Sequence, residues 1–163
     1  MMNREEKSMN IATDPRDLRR AFGTFATGVT VITTRAGPTR HGMTANSFTS
    51  VSVDPPMLLV CLTKSTKSLG LIRECREFGV SVLAEDQRDL SNHFAGKADL
   101  ETVDFTDLNG IPTIDGALAR FGCVLHSAHH AGDHEILVGE IKSYAYADGR
   151  PLLFHGGRYS SLA

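Results

Sequence analysis

The chain has 163 residues, 41% of them hydrophobic and 22% charged, which suits one folded domain with a real core and argues against disorder. Its formal net charge of −2 gives no electrostatic case for nucleic acid or an anionic membrane surface. No apolar run approaches membrane-spanning length and the polar start lacks a signal-peptide core, so the chain reads as cytoplasmic.

Residues 1–12 carry no periodic pattern and read as a mobile tail, with a single domain over 13–163. Asp14-Pro15 reads as an N-cap with proline at the first helical position, and Asp17 adds negative charge to that turn. Leu18, Ala21, Phe22 and Phe25 give one apolar helical face, ending at Gly28. Residues 29–34 are rich in β-branched side chains and predict a strand, followed by the turn Ala36-Gly37-Pro38. A second strand starts near His41, and Asp54-Pro55-Pro56 interrupts its pairing. Residues 57–62 are apolar on both faces, as in a central buried strand.

Residues 64–68 lead a helix with Leu69, Leu71, Ile72 and Cys75 inward, capped by Ser65 or Thr66. Residues 78–83 predict another strand and 86–94 a short helix. Residues 97–116 read as irregular, with Asn109-Gly110 and Asp115-Gly116 as turn signals. Strands over about 117–127, 135–146 and 151–155 close the chain, with Asp148-Gly149 as a hairpin turn. Short strands with a few helices and no regular βαβ alternation predict a mainly β fold: a small barrel with peripheral helices.

The stretch from Gly42 to Pro56 is chemically unusual. Thr44, Asn46, Ser47, Thr49, Ser50 and Ser52 bring hydroxyls and an amide into an extended segment, with no formal charge before Asp54. Gly42 and Ala45 leave room for a flat ligand to approach the main chain. Such a surface suits a planar heteroaromatic ring with several edge nitrogens and oxygens; a polar loop bonded to itself is the alternative. Residues 64–68 place two lysines and three hydroxyls at a helix N-terminus, where backbone amides and the dipole favour an anion. An ordinary capped helix with solvated lysines is the alternative there.

His126, His129, His130 and His134 fall within nine residues, yet no cysteine or carboxylate completes an obvious ligand set and no metal site is read from them. Glu135 reads as unremarkable. Cys61, Cys75 and Cys123 are far apart, without Cys-x-x-Cys spacing, and read as reduced thiols. No glycine fingerprint of a Rossmann dinucleotide site is present, and no serine or cysteine sits in a context that would activate it. In the C-terminal run His155-Gly156-Gly157-Arg158-Tyr159, the glycines permit close approach, Arg158 offers a fork for phosphate and Tyr159 a ring for stacking.

Phe25-Ala26-Thr27-Gly28-Val29-Thr30-Val31, Gly42-Met43-Thr44-Ala45-Asn46-Ser47-Phe48, Pro55-Pro56, Phe78-Gly79-Val80-Ser81-Val82-Leu83, Gly132-Asp133-His134 and Gly156-Gly157-Arg158-Tyr159, in that order, resemble the short-chain flavin reductases. These are the NAD(P)H-dependent reductase components of two-component flavin monooxygenases, and the likeness spans about residues 22–159. The resemblance implies a split β-barrel that binds FMN or FAD as a homodimer, uses NADH or NADPH, and hands reduced flavin to a separate monooxygenase. It implies ring contacts from Met43, Thr44, Ala45, Asn46, Ser47 and Ser52. It implies further flavin contacts from the Cys61 and Leu62 main chain, Ser65, Thr66, Lys67, His93 and Phe94. His134 then lies near the nicotinamide, and Gly156, Gly157, Arg158 and Tyr159 help to bind the dinucleotide. A flavin- or haem-binding split-barrel protein without enzymatic activity is the rival reading.

Overall fold

The structure is a computed structural model, described here for residues 14–162, so the expected N-terminal tail lies outside the described residues. Helix α1 (Pro15–Phe22) begins as its sequence dictates, with the Arg16 amide donating to Asp14 Oδ1 at 2.8 Å. It stops before Gly23 rather than at Gly28, because the Thr24 amide and hydroxyl both return to the Ala21 carbonyl. No α1 residue is buried, and Phe22 and Phe25 are exposed, so its apolar face is not covered within the protomer. Thr27–Gly28 then form the short strand β1.

Strands β2 (Thr30–Ala36), β3 (Thr39–Ala45), β4 (Thr49–Val53) and β5 (Pro56–Thr63) follow. The single strand expected from His41 onward is therefore two strands, parted at residues 46–48. Asp54-Pro55, joined by a cis peptide bond, makes the turn between β4 and β5, and Val53 still pairs with Pro56. Burial alternates along β5: Leu58, Val60 and Leu62 are buried, whereas Met57, Leu59 and Cys61 are half-exposed on its other face. The expectation of burial on both faces fails because the protomer leaves the other face of β5 only partly covered, as it does for the neighbouring β10.

Helix α2 (Lys67–Cys75) seats Leu69 and Ile72 in the core. Strand β6 (Glu77–Val82) leads through one 3₁₀ turn at Glu85–Gln87 into α3 (Arg88–Phe94). Where irregular chain was expected, β7 (Phe105–Leu108) and β8 (Ile111–Ile114) form a hairpin around Asn109-Gly110, both with positive φ. Each strand has only four residues and β8 contains Pro112, which weakens the periodic signal. Strands β9 (Ala119–Ala131) and β10 (His134–Tyr146) form the longest hairpin, turning at Gly132-Asp133, whereas the hairpin expected at Asp148-Gly149 does not form, because the strand after it pairs with β1 and not with β10. The tip of the β9–β10 hairpin extends past the core, so the hydrophobic alternation lapses where the strands continue. Strands β11 (Leu153–His155) and β12 (Arg158–Ser160) close the chain.

Seven strands form one antiparallel sheet in the order β3-β2-β6-β9-β10-β5-β4. Its edge strands β3 and β4 are joined by only residues 46–48. A flat sheet of this width would hold its edges roughly 29 Å apart, whereas that connection reaches at most about 14 Å. The sheet must curl until its edges approach. No β3–β4 ladder closes it among the described residues, so it is a barrel with a split. A core of Ile32, Val60, Leu62, Ile72, Phe78, Val80 and Leu137 fills the curl. A second cluster, Val29, Val31, Leu83, Ile114 and Leu152, lies where α3 and the β1-β11-β12 sheet pack. No helix among the described residues is long and apolar enough to cross a membrane.

Candidate active site at the barrel split

The split is bordered by the free edge of β3, which pairs only with β2. That edge presents main-chain donors and acceptors with no strand opposite them. Most hydroxyls nearby bond to protein. Thr44 Oγ1 donates to the Ser91 carbonyl at 2.7 Å, and the Asn46 amide reaches Thr27 Oγ1 at 3.3 Å. Ser47 Oγ donates to the Cys61 carbonyl at 3.0 Å and accepts the Cys61 amide at 2.9 Å, continuing the β4–β5 pairing by side chain past Thr49. Met43 and Ala45 pack on the main core. Ser52 stands five residues beyond Ser47 on β4, roughly 17 Å along an extended chain, and the protomer does not bring it into this group.

Helix α2 points its N-terminus at the same opening, directly after Leu62 and β5. Thr66 is the N-cap, yet its hydroxyl turns back to the Thr63 carbonyl at 2.9 Å and caps no amide. No acid sits in the first turn, and Lys67 is exposed beside it, as is Ser65 in the preceding loop. The amides of this turn are thus supplied with positive potential and lack a side-chain acceptor, which fits an anionic group. Lys64 is committed elsewhere: its Nζ donates to the Gly132 carbonyl at 2.6 Å and its amide to the Asp133 carbonyl at 3.0 Å.

His134 opens β10 opposite Thr63 of β5. Its Nδ1 lies 2.7 Å from Asp133 Oδ1 and its Nε2 3.3 Å from Thr63 Oγ1. Donation from Nδ1 to Asp133, with a bond of either sense between Nε2 and the Thr63 hydroxyl, satisfies both ring nitrogens. The hydrogen bond to His134 holds the Asp133 carboxyl below the usual carboxylate range, with the imidazole's charge and Arg19 adding to it. Thr63 was not singled out in the sequence, and Lys64 was read there as one of two cations at the helix start; their ties to the β9–β10 hairpin come from long-range strand pairing alone.

Helix α3 and the C-terminal hairpin make the opposite wall. His93 Nδ1 accepts the Leu100 amide at 3.0 Å, and its ring meets Phe94 edge-on at 4.9 Å. Phe94 lies flush on Gly42: a Cβ there would come within 2.6 Å of its ring, so Gly42 is what lets α3 dock on β3. Tyr159 OH lies 2.8 Å from Ser91 Oγ and donates to Asn92 Oδ1 at 3.0 Å, with the Arg88 guanidinium over its ring. Gly156 and Gly157 turn the hairpin at positive φ, and the Gly156 amide donates to the Gly23 carbonyl at 2.8 Å. Arg158 is exposed.

The other histidines do not converge. The Gly132-Asp133 turn leaves His126, His129 and His130 on β9 and His134 on β10, and no group of three ligands able to hold a metal occurs among the described residues. All three cysteines are free, and burial pushes the Cys123 thiol up to about 12. The free strand edge, the uncapped α2 N-terminus and the fixed imidazole together fit a flavin nucleotide with a dinucleotide beside it.

The flavin reductase like domain family matches residues 22–163. The NADH-dependent flavin reductase of a Rhodococcus species is 45% identical over 152 residues, covering 91% of this chain and 86% of that one. The flavin-dependent monooxygenase reductase subunit HsaB of Mycobacterium tuberculosis is 36% identical, covering 94% and 86%. Among solved structures, the NADH:FAD oxidoreductase SgcE6 of Streptomyces globisporus, in complex with NAD and FAD fragments, superposes with a TM-score of 0.89. It is 38% identical and covers 96% of this chain and 98% of that one. The family match over residues 22–163, with relatives at these identities over nearly the whole length, makes the chain a member of the flavin reductase like family.

Proposed function

We propose that this protein is an NADH-dependent flavin reductase that reduces FMN or FAD and passes it to a separate flavin-dependent monooxygenase. The observation that carries the reading is the uncapped α2 N-terminus with Lys67, set beside the fixed His134 at the barrel split. When bound, the flavin ring accepts a hydride from the reduced nicotinamide, so the chain need supply no acid or base for that transfer. Its own residues bind and orient. The first-turn amides of α2, with Ser65, Thr66 and Lys67, hold the flavin phosphate. The β3 edge at Met43, Thr44, Ala45 and Asn46 meets the ring, with Ser47 bracing that edge against Cys61 and Leu62. His93 and Phe94 close the α3 side.

Asp133 and Thr63 fix the His134 imidazole, which positions the dinucleotide and offsets charge on the reduced ring. The turn at Gly156 and Gly157, with Arg158 and Tyr159, receives the rest of the dinucleotide. A homodimer completes the site. Leu59 and Cys61 of β5 with their partners Val138 and Ile136 of β10, flanked by Met57 opposite Glu140, form a half-buried, largely apolar strip on one sheet face, suited to a second copy. Ser52, remote from the site within one protomer, belongs to that shared region.

The test is NADH and NADPH oxidation by purified protein with FMN, FAD or riboflavin added in turn. Turnover that depends on added flavin, and is faster with NADH, is expected. Tight flavin binding without turnover for any pair overturns the reductase and leaves a flavin-binding barrel protein.

A further inference from the structure

Glu135, the residue after His134, is the one buried acid among the described residues: 2% exposed, on the face of β10 opposite His134 and in phase with buried Leu137 and Gly139. An apolar side chain would fill that position without the cost of taking a carboxylate out of water. The Arg73 guanidinium from the last turn of α2 donates to its Oε1, and His130 Nδ1 from β9 stands 3.0 Å from the same atom. Its Oε2 is buried with no partner, so the carboxylate is not there to maximise hydrogen bonding.

Its placement supplies another reason. Leu69 and Ile72 hold α2 on the sheet by apolar contact, which is non-directional and leaves small slides and rotations cheap. The Arg73–Glu135 pair is directional and sets one position of α2 along β10. Arg73 lies six residues after Lys67, roughly 9 Å along the helix, so a shift at Arg73 carries directly to the N-terminal turn. At that other end, Lys64 is tied to the Gly132 carbonyl and Thr63 to His134. The helix is thus pinned at both ends to the one hairpin that carries His134.

We propose that Glu135 is a positioning residue that fixes α2 against β10 and, through α2, sets how tightly the protein holds the flavin phosphate. This rests on the α2 N-terminus as the phosphate seat. The experiment uses the full chain and four variants: Glu135→Gln, Arg73→Gln, the double variant, and Lys67→Ala as an independent check on the seat. Arg73 is half-exposed, so its variant serves if Glu135→Gln fails to fold. Dissociation constants for FMN and riboflavin are measured by flavin fluorescence, and hydrogen exchange is followed over α2.

Glu135→Gln and Arg73→Gln should each weaken FMN about tenfold more than riboflavin. The double variant should be no worse than either, and α2 amides should exchange faster in all three. Unchanged α2 exchange in both single variants overturns the proposal. So does an unchanged ratio of the FMN to the riboflavin dissociation constant when Lys67→Ala raises that ratio. If Lys67→Ala leaves the ratio unchanged, the phosphate seat itself is wrong and the coupling to phosphate falls with it; exchange over α2 then shows separately whether the pin exists.

Discussion

Helix α2 reaches the split on the buried side chains of Leu69 and Ile72, whereas the β11–β12 hairpin reaches it on the two-residue β1–β11 ladder, the Tyr159 hydroxyl and a main-chain bond from Gly156 to Gly23. The first wall belongs to the main core. The second rests on the smaller cluster through the half-buried Phe154 and Tyr159, and on the end of α1, which buries nothing. Apolar burial anchors a wall by several kcal/mol per large side chain, and polar contacts of this kind by about one each. The stiff wall is the one assigned to the flavin phosphate, and the yielding wall the one assigned to the dinucleotide. A reductase that must admit and release a second cofactor on every turnover has use for that asymmetry, since mobile binding elements come from the less stable end of a fold.

The contrast can be broken most forcefully at Ile72, which is fully buried. Ile72→Ala should cost about 2–5 kcal/mol and lower the melting temperature by roughly 10 °C, as read by calorimetry. A loss under about 1 kcal/mol would mean that α2 is no better anchored than the hairpin. Next, His134→Ala should slow single-turnover flavin reduction by roughly tenfold, about 1.4 kcal/mol in the barrier, while flavin affinity stays nearly intact. Unchanged kinetics would remove His134 from the reaction and leave its bonds to Asp133 and Thr63 as mere turn geometry.

On the yielding wall, Tyr159→Phe removes the contacts to Ser91 and Asn92 and should cost about 1 kcal/mol of stability. The Michaelis constant for NADH should rise several-fold with the FMN dissociation constant unmoved. A larger effect on FMN than on NADH would reverse the assignment of the two walls. The smallest effect concerns His41 on β3, whose imidazole is pushed below its ordinary value of 6.5 by burial first and by the Lys67 charge second. Below pH 6.5 the unfolded chain takes up a proton that the folded one resists, so folding stability falls as pH drops from 6.5 toward the lower folded value. His41→Asn should flatten that slope in urea titrations repeated across this window, and a slope unchanged in the variant would place its origin elsewhere.

Local chemistry was readable wherever neighbours in sequence do the work. Asp14 caps α1, the helix start expected at residues 64–68 is α2 with Thr66 at its N-cap position, and the β-branched run at residues 30–34 is a strand. Misreadings share one cause. The β7–β8 hairpin was missed because β8 is stabilised by burial and β7 by pairing with it, rather than by periodicity of their own. The turn at Gly132-Asp133 was read for its chemistry and not as a turn, since His129, His130 and His134 break the alternation on which strand assignment depends. Glu135 looked like any charge beside a polar motif, although its position in phase with Leu137 was a signal that it points inward.

The sequence by itself determined the class of the protein: mainly β, with a neutral donor-rich strand, a basic helix start and the ordered motifs of a flavin reductase. It could do so because capping, turn chemistry and strand propensity act over a few residues, and the motif order survives without coordinates. Only the tertiary structure decided that β3 and β4 face each other across a split, that Thr63 and Asp133 hold His134 from two sides, and that a buried carboxylate pins α2. Those facts join residues up to 71 positions apart. They depend on strand register and sheet curl, which arise from packing the whole chain and are written in no single stretch of it.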